Sequence, residues 1–212
     1  MVASANSKPP KTMQKTSLVL SLSLSGMLLL PLAAHAADSV KTPAAAATTV
    51  AVGQAAPAFK IKDANGKIID LAELTAKGPV LVRLTCGCLG CDKELPYFQE
   101  LHTAYKHLGL TSLAVFKEPD AKVETYVKEK KLNMLYAVDP KGYSWKVFGA
   151  KTMPSNFLIA KGGQIVKISA GCDTSGMIAA RLSDDVARIS GGQKVDVKGN
   201  VDARKTAAVP AK

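Results

Sequence analysis

Pro79-Val80-Leu81-Val82-Arg83-Leu84-Thr85-Cys86-Gly87-Cys88-Leu89-Gly90-Cys91 is the stretch that decides how this chain is read. Val80 to Leu84 is a short, nearly unbroken apolar run, the pattern of a strand buried on both faces. The next six residues hold three of the chain's four cysteines. Beyond them Leu95, Phe98, Leu101, Tyr105 and Leu108 recur at steps of three and four, which marks the buried face of a helix ending near Leu108. Pro96 falls inside that helix and is expected to kink it or to mark its second segment. Cys88 therefore opens a helix, where free N–H groups and partial positive charge favour a thiolate, and Cys91 lies one turn inward. That asymmetry suits thiol–disulfide exchange, with Cys88 as attacking nucleophile and Cys91 as resolving thiol. Cys-x-x-Cys spacing alone is also half of many zinc sites.

Outward from the motif, strands and helices alternate. Phe59-Lys60-Ile61 and Lys67-Ile68-Ile69 flank Asn65-Gly66, a hairpin turn signal. Thr111 to Phe116 and Leu135 to Val138 read as strands, with an amphipathic helix between them over Asp120 to Lys131. Phe157-Leu158-Ile159 and Gln164 to Ile168 flank Lys161-Gly162-Gly163, a second hairpin. Met177, Ile178, Arg181, Leu182, Val186 and Ile189 give a last helix capped by Asp173, Thr174 or Ser175. The pattern predicts an α/β fold with a central mixed sheet flanked by helices and an N-terminal β-hairpin.

The 212 residues divide into four segments. Residues 1–36 read as a secretory signal peptide: Lys8, Lys11 and Lys15 precede the apolar run Ser17 to Leu32, and Ala34-His35-Ala36 fits the cleavage pattern. Residues 37–51 are a flexible leader rich in Ala, Thr and Pro, 52–190 form the domain, and 191–212 read as a disordered tail. Export to the periplasm permits disulfides, which favours a redox or paired role for the cysteines over a zinc site. The net charge of +11 falls to +8 without the three signal lysines, spread mostly as single lysines on polar faces. With aromatics at 5%, no basic stripe interleaved with stacking residues forms, so nucleic acid is not an expected partner.

The chain resembles the thioredoxin fold and, within it, the exported TlpA/ResA-like thiol–disulfide oxidoreductases of the AhpC/TSA-redoxin superfamily. The likeness spans about residues 52–190. It is carried by Gly53-Gln54-Ala55-Ala56-Pro57-Ala58-Phe59, Asn65-Gly66-Lys67, Cys88-Leu89-Gly90-Cys91, Lys93-Glu94-Leu95-Pro96, Met153-Pro154, Phe157-Leu158-Ile159 and Gly163-Gln164-Ile165-Val166. The resemblance implies a cis Met153-Pro154 peptide facing the dithiol, with Met153 and Gly171 lining a groove for substrate main chain. It also implies that Glu94 lies near the dithiol. An ionised carboxylate there would disfavour the Cys91 thiolate and accept its proton during resolution. The implied activity is reduction of protein disulfides, with electrons from a membrane thiol donor and no cofactor or resident metal. The chain departs from the family before the first cysteine, where Leu84, Thr85, Cys86 and Gly87 replace the usual aromatics. It departs again between the cysteines, where Leu89-Gly90 lacks the common proline.

In that fold Cys172 follows the last strand back to the active-site end, where Cys86 also lies. Three readings stand: a second disulfide, Cys86–Cys172, bracing strand to loop; a relay in which Cys172 takes electrons from the Cys88–Cys91 pair; or two unpaired buried thiols. Two other functions compete. Thr85-Cys86-Gly87-Cys88 places a threonine three residues before a cysteine, as in peroxiredoxin-type thiol peroxidases, but without their flanking prolines. Cys86, Cys88 and Cys91 together could chelate Cu(I), a soft ion, as a copper chaperone would. The histidines after residue 36, His102 and His107, both fall on the helix after the motif.

Overall fold

The apolar run after Pro79 becomes a six-residue strand, Val80–Thr85 (β3), with every residue buried. The structure, a computed structural model, describes residues 50–208. The expected signal peptide and all but the end of the expected leader lie outside the described residues.

Before β3 come the hairpin strands Lys60–Lys62 (β1) and Ile68–Asp70 (β2), which pair antiparallel around the Asn65-Gly66 turn as expected. A helix that periodicity alone did not announce, Leu71–Lys77 (α1), follows at once, capped by the Asp70 carboxylate accepting from the Ala72 N–H. After β3 come Leu89–Tyr105 (α2), Thr111–Phe116 (β4), Asp120–Glu129 (α3) and Leu135–Val138 (β5). A short helix, Tyr143–Val147 (α4), precedes Ser155–Ile159 (β6) and Ile165–Ala170 (β7). Met177–Ser190 (α5) and Val197–Ala207 (α6) end the described chain. The sheet runs β5-β4-β3-β6-β7, with β3, β4 and β5 parallel and β6 and β7 antiparallel to their neighbours. This is the mixed sheet the pattern implied.

β3 is central, so its side chains alternate between two cores. Val80, Val82 and Leu84 join Leu113, Val115, Phe157 and Ile159 against Leu71 of α1 and Trp145 of α4. Leu81 joins Ala114, Phe116 and Leu158 against α2, α3, α5 and α6. Arg83 shares the face of Leu81 and therefore enters the core toward α2, only 2% exposed. Its Nη2 donates to Glu94 Oε2 at 2.6 Å, its Nη1 donates to Asn156 Oδ1 at 2.9 Å, and its guanidinium lies 3.9 Å over the Phe98 ring. Pro96 sits within an unbroken α2, not at a division of it. The proline forgoes one backbone bond to Asp92, but packing of Leu95, Phe98 and Leu101 on the sheet holds the helix on either side.

Two expectations are corrected. The N-cap of α5 is Gly176, not Asp173, Thr174 or Ser175. Gly176 has φ +82°, and a Cβ there would lie 2.5 Å from the Tyr97 ring, so only glycine fits. Asp173 still serves the helix start, its Oδ2 accepting from the Ile178 N–H at 2.8 Å. The second correction concerns residues 191–212, expected to be disordered. Their described part, to residue 208, contains α6, with Val197 and Val201 buried against α2 and α5. Tyr97 Oη donates to Asp202 at 2.6 Å, Arg204 pairs with Glu100 at 2.7 Å, and the Val195 N–H donates to Tyr105 Oη at 3.0 Å. A sparse apolar signal of two valines is sufficient because α2 supplies matching polar partners along its outer face.

Two outcomes follow from this packing. Val197→Ala combined with Val201→Ala should lower unfolding stability by about 2–4 kcal/mol in urea titration, because each substitution leaves a small cavity; an unpacked tail would give no change. Removing one partner of the buried pair, as in Arg83→Met or Glu94→Leu, strands a charge and should cost about 3–5 kcal/mol. The double variant should recover much of that loss in the same titration, since replacing both charges with apolar groups removes the desolvation penalty as well.

Candidate active site

β3 ends at Thr85 beside the end of β4, and the chain turns through Cys86 and Gly87 into α2. Cys88 is the N-cap of α2, with extended backbone at φ −74°, ψ 159°, and no side chain caps the helix there. The first-turn amides are thus left to act on the sulfur. The turn is pinned from outside, as the Gly87 N–H donates to Glu118 Oε1 at 2.7 Å. The other Glu118 oxygen is buried without a hydrogen-bond partner. Glu118 follows β4, which runs parallel beside β3, so both strands deliver their C-terminal ends to one place. No short-range pattern in the sequence pointed to this glutamate.

The Sγ atoms of Cys86, Cys88 and Cys91 all lie within 4.8 Å of one another. Cys88 is exposed, whereas Cys86 and Cys91 are buried. In this structure Cys86 and Cys88 are joined in a disulfide, and Cys91 and Cys172 are free. The Cys91 sulfur lies 3.3 Å from that of Cys86. The Cys86–Cys172 bridge, one of the three readings, is not the bond formed in this structure, where Cys86 is bonded within the motif and Cys172 stands outside the group of three. The Cys88–Cys91 pair is likewise not the one bonded here, although both sulfurs belong to the same cluster. With the bond reduced, three sulfurs this close would form a set of soft ligands for a thiophilic ion. Neither histidine joins them in the cluster; His102 Nδ1 is within hydrogen-bond distance of Ser112 Oγ at 3.2 Å.

Cys172 nevertheless reaches the site. A Cβ on Gly90 would lie 2.8 Å from its sulfur, so the glycine between Leu89 and Cys91 makes room for it. Cys172 is exposed, yet partial desolvation by the neighbouring chain and the nearby Glu94 charge both push its thiol above its ordinary pKa. It is held there through Glu94, whose Oε1 accepts from the Asp173 N–H at 2.5 Å while Oε2 binds Arg83. Both oxygens of Glu94 are thus engaged, at 1% exposure. This residue, expected beside the dithiol as a proton acceptor, ties β3, α2 and the loop after β7 together.

The Met153-Pro154 peptide is cis, as the resemblance implied. The Pro154 carbonyl accepts from the Gly171 N–H at 2.9 Å, so the loop before β6 and the loop after β7 are joined one residue from Cys172. Met153 and Gly171 are half-buried. Leu89, next to Cys88, is 71% exposed, an apolar side chain beside the outermost sulfur that the sequence had not singled out as a docking residue.

Residues 52–168 match the model of the AhpC/TSA family. The thiol-disulfide oxidoreductase ResA of Bacillus thuringiensis subsp. konkukian is 35% identical over 124 residues, 58% of this chain and 72% of that protein. ResA of Geobacillus thermodenitrificans is 33% identical over 136 residues, 64% of this chain and 78% of its own length. Among solved structures, a thiol:disulfide interchange protein from Bacteroides sp. superimposes with a TM-score of 0.56 at 24% identity, covering 69% of this chain and 94% of its own. The thioredoxin domain of a thiol-disulfide oxidoreductase from Bacteroides vulgatus gives 0.55 at 23% identity, covering 64% and 98%. Those two likenesses bear on the fold, which is thioredoxin-like. With a sulfur cluster at the head of α2 and relatives of this kind, the chain belongs to the AhpC/TSA family and is a thiol–disulfide oxidoreductase.

Proposed function

We propose that the protein is an exported reductant of protein disulfides that works through Cys88 and Cys91. The observation that carries this reading is the contrast between the two residues: Cys88 is exposed at the N-cap of α2, and Cys91 is 2% exposed one turn in, with their sulfurs in one cluster. With the site reduced, the Cys88 thiolate, favoured by the helix N-terminus, attacks one sulfur of a substrate disulfide and expels the other as a thiolate. Cys91 then attacks Cys88, releasing the second substrate thiol and leaving the protein oxidised. Two electrons pass to the substrate, and a thiol donor must restore them.

Substrate main chain would lie along the cis-proline loop and Gly171, with Leu89 giving it an apolar contact beside the nucleophile. Glu94, held by Arg83 and the Asp173 N–H, sets the distance between α2 and the Cys172 loop, so its influence on proton transfer acts through position and field. The basic n-region, apolar run and A-x-A pattern of residues 1–36 support export to the periplasm. There a membrane-bound thiol protein would be the electron donor. Nucleic acid has no part in this reading.

Cys88→Ser should abolish reduction of a disulfide-bonded model protein, and Cys91→Ser combined with Cys86→Ser, which removes both sulfurs able to attack Cys88, should instead accumulate a mixed disulfide with it, visible as an adduct in non-reducing mass spectrometry. The direction of electron flow is read from the reduction potential of the site against dithiothreitol or glutathione buffers. A value near that of thioredoxin, about −270 mV, is expected, and one near about −120 mV would make the protein an oxidant.

A further inference from the structure

Three sulfurs occupy a site in which one disulfide uses two, so a third always lies beside the bond. We propose that Cys86 is a third redox cysteine, exchanging its disulfide partner between Cys88 and Cys91, so that the oxidised protein keeps a reactive Cys88 and can rearrange substrate disulfides as well as reduce them. This rests on the reading of Cys88 as the nucleophile.

The geometry assigns the parts. The Cys91 sulfur lies 3.3 Å from the Cys86 sulfur, in hydrogen-bond contact, and Cys86 is bonded to Cys88. In the exchange the Cys91 thiol gives its proton to solvent, and its sulfur attacks Cys86. The Cys86–Cys91 bond forms, the Cys86–Cys88 bond breaks, and the electron pair leaves on Cys88. No electrons are gained or lost overall, and no external oxidant or reductant is needed.

Two features draw the equilibrium toward this product. Negative charge is more stable on Cys88, exposed at the N-cap of α2, than on the buried Cys91, and the same stability makes Cys88 the better leaving group. Cys86 and Cys91 are both buried, at 9% and 2% exposure, so the new bond is withdrawn from solvent while the freed sulfur faces it.

An oxidised Cys-x-x-Cys with only two cysteines has no thiol left. This site, at the same oxidation level, would have one. The Cys88 thiolate can attack a substrate disulfide, the released substrate thiolate can attack elsewhere in its own chain, and a substrate thiolate finally expels Cys88. Bonds move within the substrate, and its count of disulfides is unchanged. The substrate class is a protein with more than one disulfide and an exposed, mispaired bond.

The test measures which sulfur is free when the protein holds one disulfide. Cys172→Ser serves as parent, to leave three cysteines, and is compared with the same protein carrying Cys86→Ser or Cys91→Ser. Each is oxidised with diamide, freed of reagent and treated with a maleimide at neutral pH, and the labelled residue is mapped by fragmentation mass spectrometry. The expected result is a label on Cys88 in the parent, acquired at least about tenfold faster than in either variant, where Cys88 is locked to its one remaining partner. A label confined to Cys86 or to Cys91 in the parent would overturn the proposal, as would equally fast labelling of Cys88 in the Cys86→Ser protein.

Activity gives a second reading. With no reductant present, the oxidised parent should reactivate a scrambled multi-disulfide protein and its Cys86→Ser form should not; equal reactivation by both would count against the exchange. The underlying dithiol reading is separated from this by Cys88→Ser alone: retained disulfide reduction in that variant would remove Cys88 as nucleophile, whatever the label shows.

Discussion

The Arg83–Glu94 pair is the constraint on which the site's geometry depends. A guanidinium and a carboxylate, 3% and 1% exposed at their side chains, meet at 2.6 Å between β3 and α2. Such a pair is tolerable in a core only when its remaining donors and acceptors are also used. Here Asn156 of β6 takes a second Arg83 donor, Phe98 covers the guanidinium face, and the Asp173 N–H fills the other Glu94 oxygen. The pair thus fixes four pieces of chain at once: the strand before the motif, the helix after it, the neighbouring strand and the loop carrying Cys172. An all-apolar contact would bury the same surface without fixing the angle or register of α2, because hydrophobic packing is not directional. A planar fork meeting a carboxylate is directional.

The sulfur cluster follows from that placement. β3 and β4 are parallel, so the turn after β3 and the Glu118 segment after β4 emerge together, and the Gly87 N–H finds a carboxylate waiting. With α2 anchored at Glu94, one turn beyond the motif, Cys91 and Cys86 are both buried and their sulfurs meet at 3.3 Å. Cys88, at the cap, has nowhere to go but outward. The burial order of the three sulfurs is thus a consequence of strand, turn and helix geometry, and their different chemistry follows from that order.

Much of this was legible in sequence where the signal was local. The buried run from Val80, the helical spacing of Leu95, Phe98, Leu101 and Tyr105, and the two hairpin turns predict the central elements to within a residue or two. The cap position of Cys88 comes from the same pattern. What stayed hidden depends on partners far away in the chain. Arg83 looks anomalous in a strand until Glu94, eleven residues later and on the same face, is placed over it. α6 has too few apolar residues to announce itself, and is held by Tyr97 and Glu100, about a hundred residues upstream. The partner of Cys86 is left open by the sequence for a related reason. Topology brings Cys172 to the same end of the sheet, but a bridge also needs the two side chains to converge, which no spacing rule reports.

The charges around the site sharpen the contrast among its four cysteines. Glu94 brings one negative charge into the interior beside the motif, and Arg83 brings one positive charge against it, so the pair adds little net field at a distance. What remains is short-range. Cys172 feels burial and Glu94 together, and both oppose its thiolate, with Arg83 offsetting only part of this. Cys88 faces solvent at the head of a seventeen-residue helix with its first-turn amides uncapped. Both oxygens of Glu94 are already occupied, by Arg83 and by the Asp173 N–H. The thiol against Gly90 is thereby raised above its ordinary pKa, whereas the helix N-terminus favours a thiolate at Cys88. Cys88 and Cys172 are both exposed and Cys86 and Cys91 are both buried, so what distinguishes the two accessible sulfurs is their setting: a helix N-terminus beside Cys88 and the anchored Glu94 carboxylate beside Cys172.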